Sequence, residues 1–398
     1  MITPDEKQRP SDALIEDIRR RFPTERLIDA TLTAKMRGRS GPPHRSQSLA
    51  AVTERLNAFL ARRIPAGFTI SDIHSLAGGS SKEQFAFRLQ WTDEHGKKRN
   101  DRLALRMRPT ESIVETHPLR EYQVLAAVRD VIPVPPLYWI DAEGQELGQP
   151  ALIYGFCEGI AKPPRDGAHT TRAGFGSKYR ALLAPQFVQY FAEMGKFDWR
   201  NADMSAFDPP PTGSNAGVLS AINWWHRVWE EDCIDRNPLI TIGAQWLREN
   251  APPIDYVSIV HQDFRGGNFL FAPDTGRITA VLDWELVMLG DRHMDLAFFL
   301  TPLFRETSED GEELAGGLLT RERLLTEYER LSGLPVDPVR LTYYHVFACW
   351  RSAINSSASA ARVMYGQKSH QDIRVGWLLG TAPITLKALR ESLEDVIR

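Results

Sequence analysis

The residues best suited to chemistry lie in one short polar segment, His261–Asn268, which stands between two apolar runs. Asp283 follows Asn268 by fifteen residues, at the end of another run that is typical of a β-strand. A hairpin between these runs would bring Asp263, Asn268 and Asp283 to one end of a small sheet. The three side chains would then act as one set.

Such a set suits the transfer of a phosphoryl group to a hydroxyl. That reaction needs a carboxylate that orients the attacking hydroxyl and accepts its proton, and oxygen ligands that hold Mg²⁺ on the nucleotide phosphates. A His-x-Asp sequence on its own is more often a buried, hydrogen-bonded loop. The additional spacing to Asn268 and Asp283 favours the phosphoryl-transfer interpretation.

The composition bounds the class of protein. Of the 398 residues, 42% are hydrophobic and 25% are charged, as in an ordinary globular protein. This length is too great for one ordinary core and predicts two lobes or domains. The chain has 48 basic and 51 acidic side chains, so its net charge is −3. Nucleic-acid binding through overall charge is therefore not expected.

Cysteine usage and hydropathy indicate the compartment. Cys157, Cys233 and Cys349 are far apart and form no Cys-x-x-Cys pair, which argues against a disulfide framework or a structural zinc site. No apolar run approaches the length of a membrane helix, and the first residues lack the pattern of a signal peptide. We expect a cytoplasmic protein without a membrane partner, as a monomer or a homodimer.

Hydrophobic periodicity predicts the elements that position the polar set. In the first part of the chain we expect helices near 11–22, 24–36, 48–63 and 119–129, and strands near 68–76, 84–91, 102–107, 136–140 and 151–156. After residue 158 the pattern is predominantly helical, near 182–197, 218–232, 239–249, 320–331, 337–362 and 370–396. Residues 162–178 predict a mobile loop between the two parts.

The polar motifs resemble those of the protein-kinase-like superfamily, and within it the aminoglycoside phosphotransferase/choline kinase group. His261-Gln262-Asp263 resembles the group's His-Gly-Asp, with Gln in place of Gly. Val281–Glu285 resembles its "vlDWE", and Leu289–Ala297 its "lGDPxxDLA", with Arg292 in place of Pro. No Asp-Phe-Gly follows, so a protein kinase proper is less expected.

Two further segments resemble phosphotransferase domains that are fused to acyl-CoA dehydrogenases. Ala77–Glu83 resembles their "aGGaSrEt" turn, and Leu103–Pro109 their "lvLRrpP" strand. The resemblance covers roughly residues 50–360. It implies an α+β, two-lobed protein-kinase-like fold, with a small antiparallel β-sheet N-lobe and a larger, mainly helical C-lobe. The expected division is a helical appendage (1–46), a nucleotide-binding N-lobe (47–158) and a C-lobe (159–398).

The resemblance also implies roles for individual residues, with ATP and Mg²⁺ as cofactors. Asp263 would be the catalytic carboxylate, and Asn268 and Asp283 would bind Mg²⁺. The turn that covers the phosphates would consist of Gly78, Gly79, Ser80 and Ser81, since glycines let the backbone approach a nucleotide.

Further positions would complete the nucleotide site. Arg106 stands where kinases carry the strand-three lysine that contacts the phosphates, and Glu121 would pair with it. The hinge around Tyr154 and Phe156 would meet the adenine. Arg265 would contact the γ-phosphate or only support the loop. Each of these residues alone would be read as an ordinary turn, strand or surface residue.

Other prominent residues are expected to be structural. His261 would brace the loop by hydrogen bonds, and Asp295 would tie the following helix to it. Glu285 would help with metal or substrate, or would be solvated. For Trp224, Trp225, Trp229 and Trp246, core packing is favoured over a substrate wall.

The sequence thus predicts an ATP- and Mg²⁺-dependent phosphotransferase that acts on a hydroxyl of a small molecule. The segment 162–180 carries five basic residues against one acid, which favours an anionic acceptor such as a hydroxy acid or a hydroxyacyl-CoA. An aminoglycoside-type antibiotic is the alternative acceptor. A catalytically weak nucleotide-binding module is the alternative from another class, supported by Gln262, Arg106 and Arg292 in place of the usual residues.

Overall fold

Four helices precede the first strand: α1 (Pro4–Gln8), α2 (Asp12–Arg21), α3 (Arg26–Gly38) and α4 (Leu49–Ala61). The computed structural model describes residues 3–42, 44–76, 81–163, 174–366 and 377–397. Ser11 and Ser48 start α2 and α4, because each side chain accepts a hydrogen bond from a backbone N–H of the first turn. The predicted N-terminal helices are therefore present.

Five antiparallel strands form one sheet in the order β1-β2-β3-β5-β4. They are β1 (Phe68–Ser75), β2 (Glu83–Thr92), β3 (Lys98–Met107), β4 (Leu137–Asp141) and β5 (Ala151–Gly155). Alternate residues of β2 point to one face, where Phe85, Phe87 and Leu89 are buried with Leu56 and Phe59 of α4. This core belongs to the sheet lobe alone.

Helix α5 (Pro118–Val128) links the sheet lobe to the rest of the molecule. Pro118 stands at its first position, where a missing N–H is not a loss, and the His117 side chain accepts a hydrogen bond from the N–H of Leu119. Val124 and Leu125 of α5 are buried in the large core of the helical lobe. Movement of α5 would therefore disturb both lobes.

The remainder of the chain is mainly helical. The helices are α6 (Gly176–Lys196), α7 (Ala216–Asp232), α8 (Pro238–Glu249), α9 (His293–Phe299), α10 (Arg321–Ser332), α11 (Pro338–Ile354), α12 (Ala360–Gly366) and α13 (Ala382–Glu394). Three small antiparallel pairs lie among them: β6 (Val257–Val260) with β9 (Met288–Asp291), β7 (Phe269–Phe271) with β8 (Ile278–Val281), and β10 (Arg305–Thr307) with β11 (Glu313–Ala315). The predicted α+β, two-lobed arrangement is confirmed. The domain limits at 46/47 and 158/159 stay predictions.

Three predicted helices differ from the observed ones. Of the helix predicted over 370–396, residues 370–376 lie outside the described part of the chain, and α13 covers Ala382–Glu394. Helix α6 starts at Gly176, six residues before the predicted position, because Tyr179 packs on Phe271 and donates a hydrogen bond to the Pro273 carbonyl. The long helix predicted over 337–362 is interrupted by a π-helical turn, Asn355–Ser359. Within that turn the Ser356 hydroxyl donates to carbonyls of the preceding turn, which disturbs the regular ladder.

The predicted mobile loop falls mostly on residues 164–173, outside the described part of the chain. No described helix is long and apolar enough to cross a membrane. The three cysteines are free thiols, as their spacing predicted. Trp224, Trp225 and Trp229 are buried in the main core, so packing is their role. The cytoplasmic location stays a prediction.

A buried charge cluster fastens the N-terminal helices to the helical lobe. The carboxylate of Asp232, at the end of α7, pairs with Lys35 (Nζ–Oδ1 3.0 Å), with Arg39, and with Arg362 of α12 (Nε–Oδ2 2.9 Å). Burial opposes the charge on Asp232, but these three cations outweigh burial and hold its pKa well below the ordinary range. Asp232 is therefore the common counter-charge of three segments.

Replacing Asp232 by Asn should lower the free energy of unfolding by about 3–5 kcal/mol, because three buried cations would lose a shared counter-charge. Among the described residues, Lys35 would then keep only Glu231, and Arg362 only Glu111 and Glu115, as charged partners. Urea unfolding followed by circular dichroism measures this. The exposed pair Glu327–Arg330 provides the control, since Glu327→Gln should change the free energy by less than about 0.5 kcal/mol. Equal effects of the two substitutions would contradict this account of the cluster.

Candidate active site

The hairpin β7–β8 joins the polar residues that the sequence separates. The N–H of Leu282 donates to the Asn268 carbonyl (2.7 Å), which extends the pairing beyond both strands. Asn268 then points its side-chain amide at Asp263, where Nδ2 donates to Oδ2 (2.6 Å) and to the backbone carbonyl (2.8 Å). Asp283 follows directly after Leu282. The predicted set of Asp263, Asn268 and Asp283 thus lies at one end of the hairpin.

Asp263 is held on its other side by Arg265. Nε of Arg265 donates to Oδ1 (2.8 Å) and Nη2 donates to Oδ2 (3.3 Å). The charge of Asp263 in turn raises the pKa of Arg265. Both carboxylate oxygens of Asp263 are therefore fixed in direction. In this structure Arg265 supports the loop through Asp263. Contact with a phosphate would require Arg265 to divide its N–H donors between Asp263 and the phosphate.

His261 braces the loop, as predicted. Its backbone N–H donates to Asp295 Oδ2 (2.7 Å), and the next N–H, of Gln262, donates to Asp295 Oδ1 (2.6 Å). The imidazole Nδ1 accepts from the Asp263 N–H (3.3 Å), so Nε2 carries the proton and donates to the Leu282 carbonyl (3.0 Å). Burial lowers the pKa of His261, which favours this neutral form. Asp295 of α9 ties its helix to the loop, also as predicted.

Gln262 occupies the position where the resembled motif has Gly, and its φ is +64°. This left-handed conformation is unfavourable for a residue with a Cβ atom. Compensating contacts are present: Arg351 Nη1 donates to the Gln262 side-chain carbonyl (2.9 Å) and Nη2 to its backbone carbonyl (2.6 Å). The Gln262 side chain also donates to the Leu286 carbonyl (2.9 Å). These bonds offset the strain and connect the loop with α11.

Arg106 joins three parts of the cleft. From β3, its Nη1 contacts Glu121 Oε1 on α5 (2.6 Å), and its Nη2 contacts Asp283 Oδ1 (2.7 Å) and Glu285 Oε2 (3.0 Å). Burial opposes the charge on Arg106, but the surrounding carboxylates outweigh burial and keep its pKa well above the ordinary value. The predicted Arg106–Glu121 pair is therefore present, together with two carboxylates from the helical lobe.

Lys82 is a cleft residue that the sequence interpretation missed. It is buried, and its Nζ lies 3.1 Å from Glu285 Oε2, beside the Ser81 hydroxyl that donates to the same oxygen (3.0 Å). Nζ also donates to the hydroxyls of Ser112 and Thr116 (3.2 and 3.3 Å). A lysine after a glycine turn is ordinarily solvated, so only the tertiary contacts identify it. They also show that Glu285 is bound, not solvated.

A cavity of about 540 Å³ lies between the lobes and contains most of the predicted site. Eight of the predicted residues line it: Ser81, Arg106, Glu121, Tyr154, Asp263, Arg265, Asn268 and Asp283. Phe156 does not line it, because its ring packs under the Arg102 guanidinium (3.6 Å). Gly78, Gly79 and Ser80 fall on residues outside the described ranges.

A second cavity, of about 610 Å³, adjoins the first at Arg265 and Gly267. Apolar side chains form part of its wall, with Phe175 and Phe304 among them. Its charged wall comprises Lys162, Arg265, Arg305 and Glu306. Because it shares Arg265 and Gly267, which follow Asp263 in the loop, with the first cavity, it is a candidate place for an acceptor.

The oxygen atoms at the hairpin end are compatible with Mg²⁺. Asn268 uses its Nδ2 as a donor to Asp263, so Oδ1 is the atom that could bind a cation, with Asp283 as the second ligand. In the described part of the chain no group of three or more His, Cys, Asp or Glu residues could hold a metal.

Comparison with known proteins places this geometry in a family. The model of the phosphotransferase enzyme family matches residues 72–334. The chain belongs to this family. The match includes the hairpin β7–β8, Arg106 and helix α5, so it covers the cleft as well as the fold. A phosphotransferase that acts on small molecules is the class of enzyme this membership supports.

The sequence relatives are longer than this chain. The chain is similar to "Probable acyl-CoA dehydrogenase IBR3" of Arabidopsis thaliana (26% identity over 67% of this chain and 34% of the relative). It is also similar to "Acyl-CoA dehydrogenase family member 10" of Mus musculus (24% identity over 67% of this chain and 25% of the relative). The chain therefore spans about a third or less of these relatives.

Solved structures share the fold at low identity. A Ralstonia eutropha protein named as an aminoglycoside phosphotransferase superimposes with a TM-score of 0.61 (21% identity, 86% of this chain and 98% of the other). Plasmodium vivax ethanolamine kinase gives 0.52 (10% identity, 90% and 96%). The predicted kinase-like fold is thereby confirmed.

The strained backbone at Gln262 can be tested with two substitutions. Gln262→Ala and Gln262→Gly both remove the side-chain bonds to Arg351 and Leu286, so both should be less stable than the natural protein. Only Ala keeps a Cβ atom at positive φ, so it should be less stable than Gly by about 1 kcal/mol. Urea unfolding midpoints decide this, and equal stability of the two variants would contradict it.

Proposed function

We propose that the protein transfers the γ-phosphoryl group of ATP, in the presence of Mg²⁺, to a hydroxyl of a small molecule. The observation that carries this proposal is the common cavity. A fixed carboxylate, Asp263, lies in it with two oxygen ligands, Asn268 and Asp283, and with the Arg106–Glu121 pair. Family membership supports the reaction class, and the residue roles are assigned from the contacts.

In this proposal Asp263 acts on the acceptor. Its two oxygens are oriented by Asn268 and Arg265, so an incoming hydroxyl would meet a carboxylate of fixed direction. It orients the hydroxyl towards the phosphorus and accepts the hydroxyl proton as the new O–P bond forms and the bond to ADP breaks. His261 keeps the loop in place and remains neutral.

Arg106 provides positive charge for the phosphates. It already faces Glu121, Asp283 and Glu285, so an excess of negative charge surrounds it before nucleotide enters. Mg²⁺ bound by Asn268 and Asp283 would neutralise phosphate charge and orient the transferred group. Glu121 would then keep Arg106 at the cleft while Asp283 turns to the metal. The hinge after Tyr154 remains the proposed place of the adenine.

The second cavity favours an anionic acceptor. Three cationic side chains and one carboxylate line it beside apolar walls. Arg265 is paired with Asp263 and Arg305 with Glu313 (3.1 Å), and Lys162 belongs to the basic segment that the sequence singled out. Of that segment, Lys178 and Arg180 lie on α6, where Arg180 pairs with Glu309 (2.7 Å), so they are not part of a loop. A hydroxy acid or its CoA thioester fits the charge and the apolar walls. The names of the sequence relatives, which are those of acyl-CoA dehydrogenases, are consistent with an acceptor of this class.

Two other functions are less well supported. An aminoglycoside acceptor is polycationic and would meet Lys162 and Arg305 with like charge. A nucleotide-binding module without catalysis would not need Asp263 fixed by two neighbours in the cavity. The replacements that suggested such a module are accommodated, since Gln262 is bonded to Arg351 and Arg292 pairs with Asp255 (2.9 Å).

Substitution of Asp263 by Ala separates chemistry from nucleotide binding. The turnover number should fall about 10²- to 10⁴-fold, because the proton acceptor is lost. The dissociation constant of MgADP, measured by calorimetry, should stay within about threefold. Asp283→Ala should instead remove the Mg²⁺-dependent part of nucleotide affinity. Asp130, an exposed carboxylate, is the control. Unchanged turnover in Asp263→Ala would refute the assigned role.

The acceptor class can be tested by a screen read by mass spectrometry for the gain of one phosphate. Hydroxy acids and their thioesters should be phosphorylated, and a hydroxy acid should exceed its methyl ester in kcat/KM by about tenfold, since charge-assisted bonds would be lost. Lys162→Gln should reduce the difference in kcat/KM between the hydroxy acid and its methyl ester, because it removes a cation from the wall of the second cavity. Phosphorylation of kanamycin-like compounds, with none of hydroxy acids or thioesters, would overturn the anionic acceptor.

A further inference from the structure

A buried ion pair connects the N-terminal helices with α5. Glu25, which directly precedes α3, accepts hydrogen bonds from Arg120: Nη1 donates to Oε2 (2.5 Å) and Nη2 to Oε1 (3.3 Å). The two residues are 8% and 2% exposed, so water does not screen the pair. Arg120 is the immediate neighbour of Glu121, which holds Arg106 at the cleft. Through this pair the N-terminal segment contacts the direct neighbour of a residue of the proposed nucleotide site.

Arg120 has partners in the helical lobe as well. Its Nη2 donates to the Val287 carbonyl (3.1 Å), two residues after Glu285, and its Nη1 donates to the Ala206 carbonyl (3.2 Å). Its guanidinium also lies 4.1 Å from the centre of the Phe207 ring. Glu25 is the only partner in this set that carries a charge. Loss of Glu25 would leave a buried cation with neutral partners alone.

A further contact of α5 faces the same region. The side chain of Gln123 donates to the Ser205 hydroxyl (2.8 Å) and accepts from the Ala206 N–H (2.9 Å). Arg26, next to Glu25, donates to the Ser205 carbonyl (2.8 Å). Residues 205–207 are therefore shared by α5 and the N-terminal segment. The position of α5 depends on both.

A second connection reaches the chain just before α5. Arg362 pairs with Glu111 and donates to the Ser112 carbonyl (2.6 Å), while its Nε contacts Asp232. Asp232 is held in turn by Lys35 and Arg39 of the N-terminal segment. Ser112 also accepts a hydrogen bond from the cleft residue Lys82. The N-terminal helices thus brace both the start of α5 and the segment that leads into it.

We propose that the N-terminal segment is an intramolecular brace for nucleotide binding, in which Glu25 and Arg120 are positioning residues that hold α5 so that Glu121 keeps Arg106 at the cleft. The proposal rests on the proposed function, because it explains how the phosphate-binding arginine is kept in place. Without the pair, α5 would shift from the cleft, and Arg106 would remain with Asp283 and Glu285. Those two carboxylates would then compete with phosphate for Arg106, and Arg106 would compete with the metal for Asp283.

Glu25→Gln in the full chain tests the brace, with MgADP as the probe. Its dissociation constant, measured by calorimetry, should rise at least about tenfold over the natural protein. Hydrogen exchange followed by mass spectrometry should show faster exchange in α5. Asp208→Ala is the matched control: it removes the side chain that accepts from the Arg26 N–H (2.6 Å) but keeps the Asp208 backbone N–H that donates to Glu25 Oε2 (3.4 Å), so the Glu25–Arg120 pair is retained. This variant should leave the MgADP dissociation constant within about twofold.

Glu25→Asp retains the charge, so it should restore part of the lost affinity; a simple loss of stability would not follow this order. If Glu25→Gln loses its native circular dichroism spectrum, Glu25→Asp carries the test, with weaker MgADP binding than the natural protein expected. A folded Glu25→Gln protein with natural MgADP affinity and natural α5 exchange would overturn the brace. If the natural protein binds no MgADP, the proposed function fails, and α5 exchange alone decides whether the brace exists.

Discussion

The buried guanidinium of Arg106 is the interaction on which the architecture of the cleft depends. Its partners come from two separate parts of the chain: Glu121 from α5, and Asp283 and Glu285 from the hairpin end. One cation thus connects the sheet, its helix and the helical lobe. An arginine suits this position because its planar group donates in several directions at once, whereas a lysine presents a single point charge.

The carboxylates around Arg106 repel one another, and this repulsion would favour the binding of a metal ion. Three carboxylates gather around Arg106, and Lys82 adds a second cation at Glu285. Burial raises the pKa of Glu121, and the negative charges of Glu285 and Asp283 raise it further. A divalent cation at Asp283 would relieve that repulsion. The same charges that close the lobes would therefore favour metal-bound nucleotide.

The sequence predicted those parts of the fold and the site that depend on local pattern. Apolar periodicity located the strands and most helices, and the spacing between Asp263, Asn268 and Asp283 predicted the hairpin that joins them. Lys82 and Glu25 could not be found this way, because a charged residue has the same local signature whether it is solvated or paired with a distant partner. The π-helical turn was missed because it depends on side-chain bonds inside an otherwise regular helix.

The π-helical turn Asn355–Ser359 changes the rotational phase of α12 relative to α11. An α-helix rotates by about 100° per residue, so one additional residue in a turn changes the direction of every side chain that follows. Arg362 lies just beyond it and reaches both Asp232 and Glu111. The π-turn therefore sets the azimuth of α12, and with it the direction in which Arg362 reaches the segment before α5.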